Sequence, residues 1–177
     1  MLVNGTPYRS IWFDELDQSV KIIDQTLLPH QFEIRTLRSL ADAAEAIRVM
    51  RVRGAPLIGV TAAFGLYLAL REKSAGLSEA AEVLLGTRPT AVNLAWAMAR
   101  ARRELTGVAE ERLSDSALQF ARRLADEDVA TCEAIGNAGA EVLNQLWRAA
   151  PDPSRPLHVL THCNAGWLAT VDWGTAL

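Results

Sequence analysis

The chain has 177 residues, of which 50% are hydrophobic and 22% charged, with a formal net charge of -3. That is enough apolar material for one core-bearing domain, or one domain and a small appendage, and it excludes global disorder. The mild acidity lacks the basic footprint of a nucleic-acid binder, and two cysteines, Cys132 and Cys163, cannot make a disulfide framework.

Residues 1–15 lack a charged segment followed by an apolar one, so no signal peptide is expected, and the reducing cytoplasm is the expected compartment. Two β-prone runs follow, Tyr8–Phe13 and Ser19–Asp24, separated by the polar turn Asp14–Gln18. Beyond Pro29, residues Gln31–Leu37 alternate polar and apolar with period two, as in a half-exposed antiparallel strand. His30 in the preceding loop is expected to face solvent. These segments together predict a small antiparallel β-meander.

Helices come next. Ser39 with Asp42 resembles a capping box, and Leu40, Ala43, Ala44, Ile47 and Met50 keep helical spacing. The segment Arg53–Pro56 breaks that helix, because the residue before proline is pushed out of the helical region. Pro56 suits the first turn of a new helix running to about Lys73. Its apolar stretch Gly54–Leu70 is 17 residues with three Gly, a Pro and a Thr. It is read as a buried core helix, since a membrane span needs about 20 apolar residues. Ser78 is placed to cap a short helix to Leu85. Gly86–Thr90 is a second break, followed by a helix from about Ala91 to Leu105. Ser114 is placed to cap a long helix reaching Trp147, weakened by Gly136 and Gly139.

Pro151, Pro153 and Pro156 make a linker, which divides the chain into a domain over 1–150 and a short piece over 151–177. In that piece Leu157–Thr161 reads as a strand, His162–Gly166 as a turn and Trp167 onward as a helix start. A strand, turn and helix start is the entry to a Rossmann-like α/β unit. The expected fold is therefore α+β: a β-meander, a helical bundle, and the opening of a truncated α/β domain.

Chemistry concentrates at three places. Cys163 sits at the expected carboxyl end of a strand and before a helix start, where ligands bind in open α/β sheets and where a thiol is acidified. On periodicity alone a small buried cysteine is the better reading. Its neighbour His162 would point to the other face of a strand. Cys132, inside the long helix, reads as core packing. Arg53-Gly54-Ala55-Pro56 puts a cation, a glycine and free backbone N–H groups at a helix start, as a phosphate requires, and Arg88-Pro89-Thr90 repeats the plan. Before any family resemblance, an Arg capping or pairing at an exposed loop is the better reading of both. No Cys or His spacing suits a metal. The run Arg100–Arg103 and the cluster Asp126–Asp128 read as solvated helix surface, and no carboxylate pair stands out for acid–base work.

Three segments, Val52–Val60, Thr87–Leu94 and Leu160–Gly166 with Leu168–Thr170 and Gly174–Leu177, resemble the methylthioribose-1-phosphate isomerase family in order and spacing. The resemblance covers essentially the whole chain. It implies the N-terminal part of a cytoplasmic, homodimeric enzyme that uses no metal or cofactor and converts an aldose 1-phosphate to a ketose in methionine salvage. It assigns Cys163 as the catalytic cysteine and Arg53, Gly54, Ala55 and Arg88 as substrate contacts. It also places a second catalytic residue, an Asp, in a C-terminal domain beyond Leu177, so little activity is expected of these 177 residues alone. Trp167 departs from the family, which usually has a small residue there. Ribose-1,5-bisphosphate isomerases and the regulatory subunits of the translation-initiation guanine nucleotide-exchange factor share the pattern and remain alternatives.

Overall fold

The computed structural model describes residues 2–73, 75–150, 152 and 154–176. Pro151 and Pro153 of the expected linker lie outside the described residues, as does Leu177. The chain opens with a hairpin that the sequence reading did not include, β1 (Leu2–Val3) and β2 (Thr6–Pro7). Its signal is Asn4-Gly5: both residues have positive φ, 50 and 81, as a two-residue hairpin turn requires.

The meander is present. β3 (Ile11–Asp14), β4 (Ser19–Ile23) and β5 (Ile34–Leu37) form an antiparallel sheet in the order β3-β4-β5. β3 begins three residues later than expected, and β5 covers only the last four residues of the alternating stretch. Ile11 lies opposite Ile22, and Val20 lies opposite Leu37. These four side chains are buried and join the main core. On the other face Lys21 bonds Asp17 at 2.7 Å and Thr36 at 2.9 Å.

α1 (Leu40–Arg48) starts at the expected capping box, with Asp42 N–H donating to Ser39 Oγ at 3.1 Å and Ser39 N–H to Asp42 Oδ2 at 3.0 Å. Met50 is not part of it: α1 ends at Arg48, and Met50 turns into the left-handed region at φ 61 and is exposed. α2 (Ala55–Glu72) is the axis of the molecule. Every residue from Leu57 to Leu70 is buried, so the long apolar run is a core helix, and among the described residues no helix is long and apolar enough to cross a membrane. α1, α3 (Leu77–Leu85), α4 (Val92–Leu105), α5 (Glu110–Arg148) and the sheet pack around it. Phe13 meets Tyr67 edge to face at 5.6 Å, joining sheet to helix.

Two expected caps are corrected. α3 starts at Leu77 with Gly76 as N-cap, so Ser78 lies inside it. α5 starts at Glu110 rather than after Ser114, with an acidic first turn that suits the positive end of a helix. α5 runs unbroken through Gly136 and Gly139.

Candidate active site

The loop before α2 is held by a buried charge. Asp24, at the end of β4, is 1% exposed and bonds Arg35 at 2.9 Å and Arg51 at 3.3 Å. Burial works to raise its pKa, but hydrogen bonds from Thr26 and Arg35 outweigh it and hold the carboxyl below its ordinary value. Gln25 N–H donates to Arg51 O at 3.0 Å, and Arg51 also bonds Glu45 at 2.7 Å. Val52 is buried. Arg53, the next residue, is exposed at the mouth of α2. Gly54 is the N-cap of α2, with no side-chain cap, and a proline lies in the first turn. Backbone N–H groups of that turn are therefore free of side-chain partners, next to a fixed cation.

Gly54 also makes the tightest joint in the site. A Cβ there would come 1.8 Å from Ala169 O and 2.1 Å from Ala169 Cα. Only glycine lets the α2 entry close onto residues 166–174. Four further contacts seat that segment. Gln25 Nε2 donates to Leu168 O at 2.7 Å, and Ser10 Oγ to Trp167 O at 3.3 Å. Ser10 N–H donates to Val171 O at 2.8 Å, and Val171 N–H to Asp128 Oδ2 at 2.7 Å. Ala169, Thr170 and Val171 are buried beneath it. The Arg53–Ala55 loop is thereby brought to the segment that begins three residues after Cys163.

Cys163 is exposed, with φ 84. A non-glycine residue in that region is strained by about 1 kcal/mol or more, which is a feature of functional turns. The strand expected over Leu157–Thr161 is not formed: those residues carry no regular structure and are exposed. A strand needs a neighbour for its backbone N–H and C=O groups, and none of the described residues supplies one. The expected helix start is one 3-10 turn, Trp167–Ala169, so no extended helix dipole stands behind Cys163. Trp167 is half-buried, and its Nε1 is buried without a hydrogen-bond partner among the described residues.

Arg88 is half-buried in the α3–α4 loop and is not joined to the 166–174 segment by any described hydrogen bond. The helix that follows it, α4, does border a cleft at the α2 entry, although Arg88, Pro89 and Thr90 do not line it. A cleft of about 360 Å³ lies between α2, α4 and α5, lined by Pro56 and Gly59 of α2, Asn93 and Trp96 of α4, and Asp128 and Thr131 of α5. Gly59 permits the close crossing, since a Cβ there would stand 3.1 Å from Asn93 O. The cleft thus spans the first turns of both arginine-led helices.

Asp128 was not singled out by the sequence. It was read with Asp126 and Glu127 as surface, and the structure corrects this. Asp128 is half-buried, its pKa is raised by burial, and it holds Val171. The signal was available: Ala117, Ala121, Leu124, Asp128 and Cys132 follow one helical stripe, whose other members are buried. Cys132 is in the core as expected. Burial and the nearby Asp128 charge raise its thiol, partly offset by the Thr170 hydroxyl and the Gly174 backbone. The Arg100–Arg103 run is a solvated face only in part: Arg103 is exposed, but Arg100 is half-buried and fully engaged. Arg100 bonds Glu104 at 2.8 Å and Glu127 through both terminal nitrogens, with its guanidinium 5.7 Å from the Trp96 ring. Among the described residues no three His, Cys, Asp or Glu side chains converge on a metal position.

The Arg-Gly-Ala-Pro turn thus enters the helical core beside a segment that packs on Gly54 and follows the positive-φ Cys163. The chain belongs to the Initiation factor 2 subunit family, whose model matches residues 51–171, from the arginine anchoring the α2 entry to the buried end of the seated segment. It is 53% identical over 179 residues to a methylthioribose-1-phosphate isomerase of Methylorubrum populi and 54% identical to one of Methylobacterium nodulans; in each case the match takes in 100% of this chain and 48% of the relative. The chain thus spans about half the length of the curated relatives it matches. Among solved structures it is similar to 5-methylthioribose 1-phosphate isomerase from Pyrococcus horikoshii OT3, with a TM-score of 0.76 and 37% identity, over 96% of this chain and 47% of that one. It is also similar to translation initiation factor eIF-2B subunit delta from A. fulgidus, with a TM-score of 0.76 and 39% identity, over 95% and 48%.

Proposed function

We propose that the chain is the substrate-entry half of an isomerase that converts 5-methylthioribose 1-phosphate to 5-methylthioribulose 1-phosphate. The observation that carries this is the Gly54–Ala169 joint, which draws the cationic start of α2 to the segment just past Cys163. Phosphate on the anomeric carbon prevents spontaneous ring opening. The site must therefore protonate the ring oxygen as its bond to C1 breaks, and move hydrogen from C2 to C1. Atoms balance within the one sugar, so no cofactor is called for. Arg53 and the free N–H groups of the α2 first turn hold the phosphate, with Gly54 and Ala55 offering backbone alone so that it can approach. Arg88 is a second substrate contact from the α4 side, and Cys163 is the catalytic thiol.

Residues 157–177 are proposed as the first strand and helix start of a Rossmann-like α/β domain, whose remaining strands would supply the missing hydrogen-bond partners and the acid. The domain boundary falls at 150/151, and the assembly is a cytoplasmic homodimer. A non-catalytic subunit of the same fold is the second reading, favoured by the equal TM-score to the A. fulgidus protein. The test follows ketose formation with two proteins: the 177-residue chain, and the chain continued by the unmatched half of the Methylorubrum populi relative, called here the joined protein. The chain alone is expected to show little turnover, because acid and base groups act as a unit. The joined protein is expected to turn over, and a folded joined protein without turnover would favour the non-catalytic subunit.

A further inference from the structure

α5 outlasts the core that supports it. Its buried residues end at Cys132, yet the helix runs on for 16 residues to Arg148, about 24 Å further. A helical stretch of that length is marginal in water without packing. The stripe that packs on α2 through Ala117, Ala121, Leu124 and Cys132 continues in the same phase as Ile135, Ala138, Gly139, Val142, Leu143 and Leu146. Beyond Cys132 no charge interrupts it, while Asn137, Glu141, Asn144 and Arg148 take the opposite side. A core-facing stripe is present here without a core: Leu146 is 55% exposed, and Ile135, Val142, Leu143 and Trp147 are exposed too. Single exposed hydrophobic residues mean little, but a contiguous row marks an interface.

The stripe borders an open groove of about 560 Å³, whose other wall is Val159, Leu160 and Thr161 with Thr175 and Ala176. Leu160 is 95% exposed. The groove therefore joins the overhang of α5 to the same residues that carry the unformed strand and to the far end of the described chain.

We propose that this groove seats the half of the relatives' length that has no counterpart in the matched stretch. The proposal rests on the reading of the chain as one half of such a protein. Three observations select that occupant. The relatives match this chain end to end with only 48% of their own length, so a body of similar size is available. The stripe is in phase with the chain's own core, as expected of a core that continues. Residues 175 and 176 line the groove, so the far end of the described chain lies at it. A second copy of the chain would match the size, but it would leave half of the relatives' length unplaced and would not follow from residue 176.

The experiment places single cysteines at Val142→Cys and Leu146→Cys on the stripe and at Glu141→Cys on the opposite side, each in a Cys163→Ser background. Maleimide labelling rates are measured in the 177-residue chain and in the joined protein. In the chain all three should label at similar rates, independent of protein concentration. In the joined protein positions 142 and 146 should slow by at least about tenfold while 141 stays within about twofold. Equal rates at all three positions in the joined protein would overturn the proposal. So would protection of 142 and 146 in the short chain that grows with concentration, which would make a second copy the occupant. Where the joined protein lacks a cooperative melt, the two halves are co-expressed as separate chains and labelled as the purified complex, and failure to co-purify counts against the proposal. Turnover is not read, so loss of the catalytic assignment leaves the result intact.

Discussion

Replacing Gly54 by Ala strikes the joint on which the candidate site rests. The backbone of Gly54, with φ -70 and ψ 143, is one that alanine adopts freely, so no conformational penalty arises. The effect is steric. The new Cβ would stand 1.8 Å from Ala169 O where ordinary contact begins at 3.4 Å, so the two segments must part by about 1.6 Å. Both sides are main chain, and neither can swing aside as a side-chain tip would. Parting them strips the bonds from Gln25 to Leu168 and between Ser10 and Val171, each worth about 1 kcal/mol net. It also uncovers part of Val171, whose full burial is worth about 2 kcal/mol. The expected loss is about 2–4 kcal/mol in urea unfolding. Cys132 reports the local event, because Thr170 and Gly174 lie against its thiol. Its labelling should accelerate in Gly54→Ala even where the protein stays folded. Gly139→Ala is the control: its site is open and helical, so it should gain about 0.5–1 kcal/mol. Parental stability together with an unreactive Cys132 in Gly54→Ala would refute the reasoning.

Other predictions follow from single groups. The folded pKa of Asp24 lies below its unfolded value, so its stabilisation is complete above the ordinary carboxylate range and fades as pH falls through the folded value. Asp24→Asn should cost about 1.5–3 kcal/mol near neutral pH, the range for bonds to charged groups, and shrink toward no cost in acid, read by urea titration at stepped pH. Asp128 has the opposite sign: burial raises its pKa, so its charge opposes folding at neutral pH and that penalty is relieved as pH falls. Asp128→Asn keeps an oxygen for the Val171 N–H and should be neutral or gain about 1 kcal/mol at pH 7, whereas Asp128→Ala should lose about 1–2 kcal/mol with the acceptor. Trp167→Phe removes a buried, unpartnered N–H together with part of the indole's packing, so the two should offset to within about 1 kcal/mol in urea unfolding, and a loss well above that would contradict the reading of Nε1 as unpartnered.

The parts of the fold written into local pattern were legible. α2 was, because a run of apolar residues bounded by Gly-Ala-Pro and a lysine leaves few alternatives. α1 was, because Ser39 and Asp42 satisfy each other's backbone regardless of context. Starts set by packing were not: α3 and α5 begin at Leu77 and Glu110, ahead of the serines that looked like caps. The N-terminal hairpin was overlooked although Asn4-Gly5 announced it. Arg53 and Gly54 were legible as a helix entry, but the reason Gly54 must be glycine was not, since it depends on Ala169, distant in sequence. Asp128 was hidden by its acidic neighbours, and only its phase on α5 separates it from them. The strand at 157–161 was read from composition alone, and composition cannot supply a neighbouring strand.

The most direct measurement is kcat and KM for 5-methylthioribose 1-phosphate in the joined protein, in its Cys163→Ala form and in its Arg53→Ala form. Cys163→Ala should lower kcat by about 10²–10⁴-fold, the range for a positioned acid–base group. Arg53→Ala should act mainly on KM, raising it about 10–100-fold as a charged phosphate contact is lost. Parental kcat in Cys163→Ala would contradict the account.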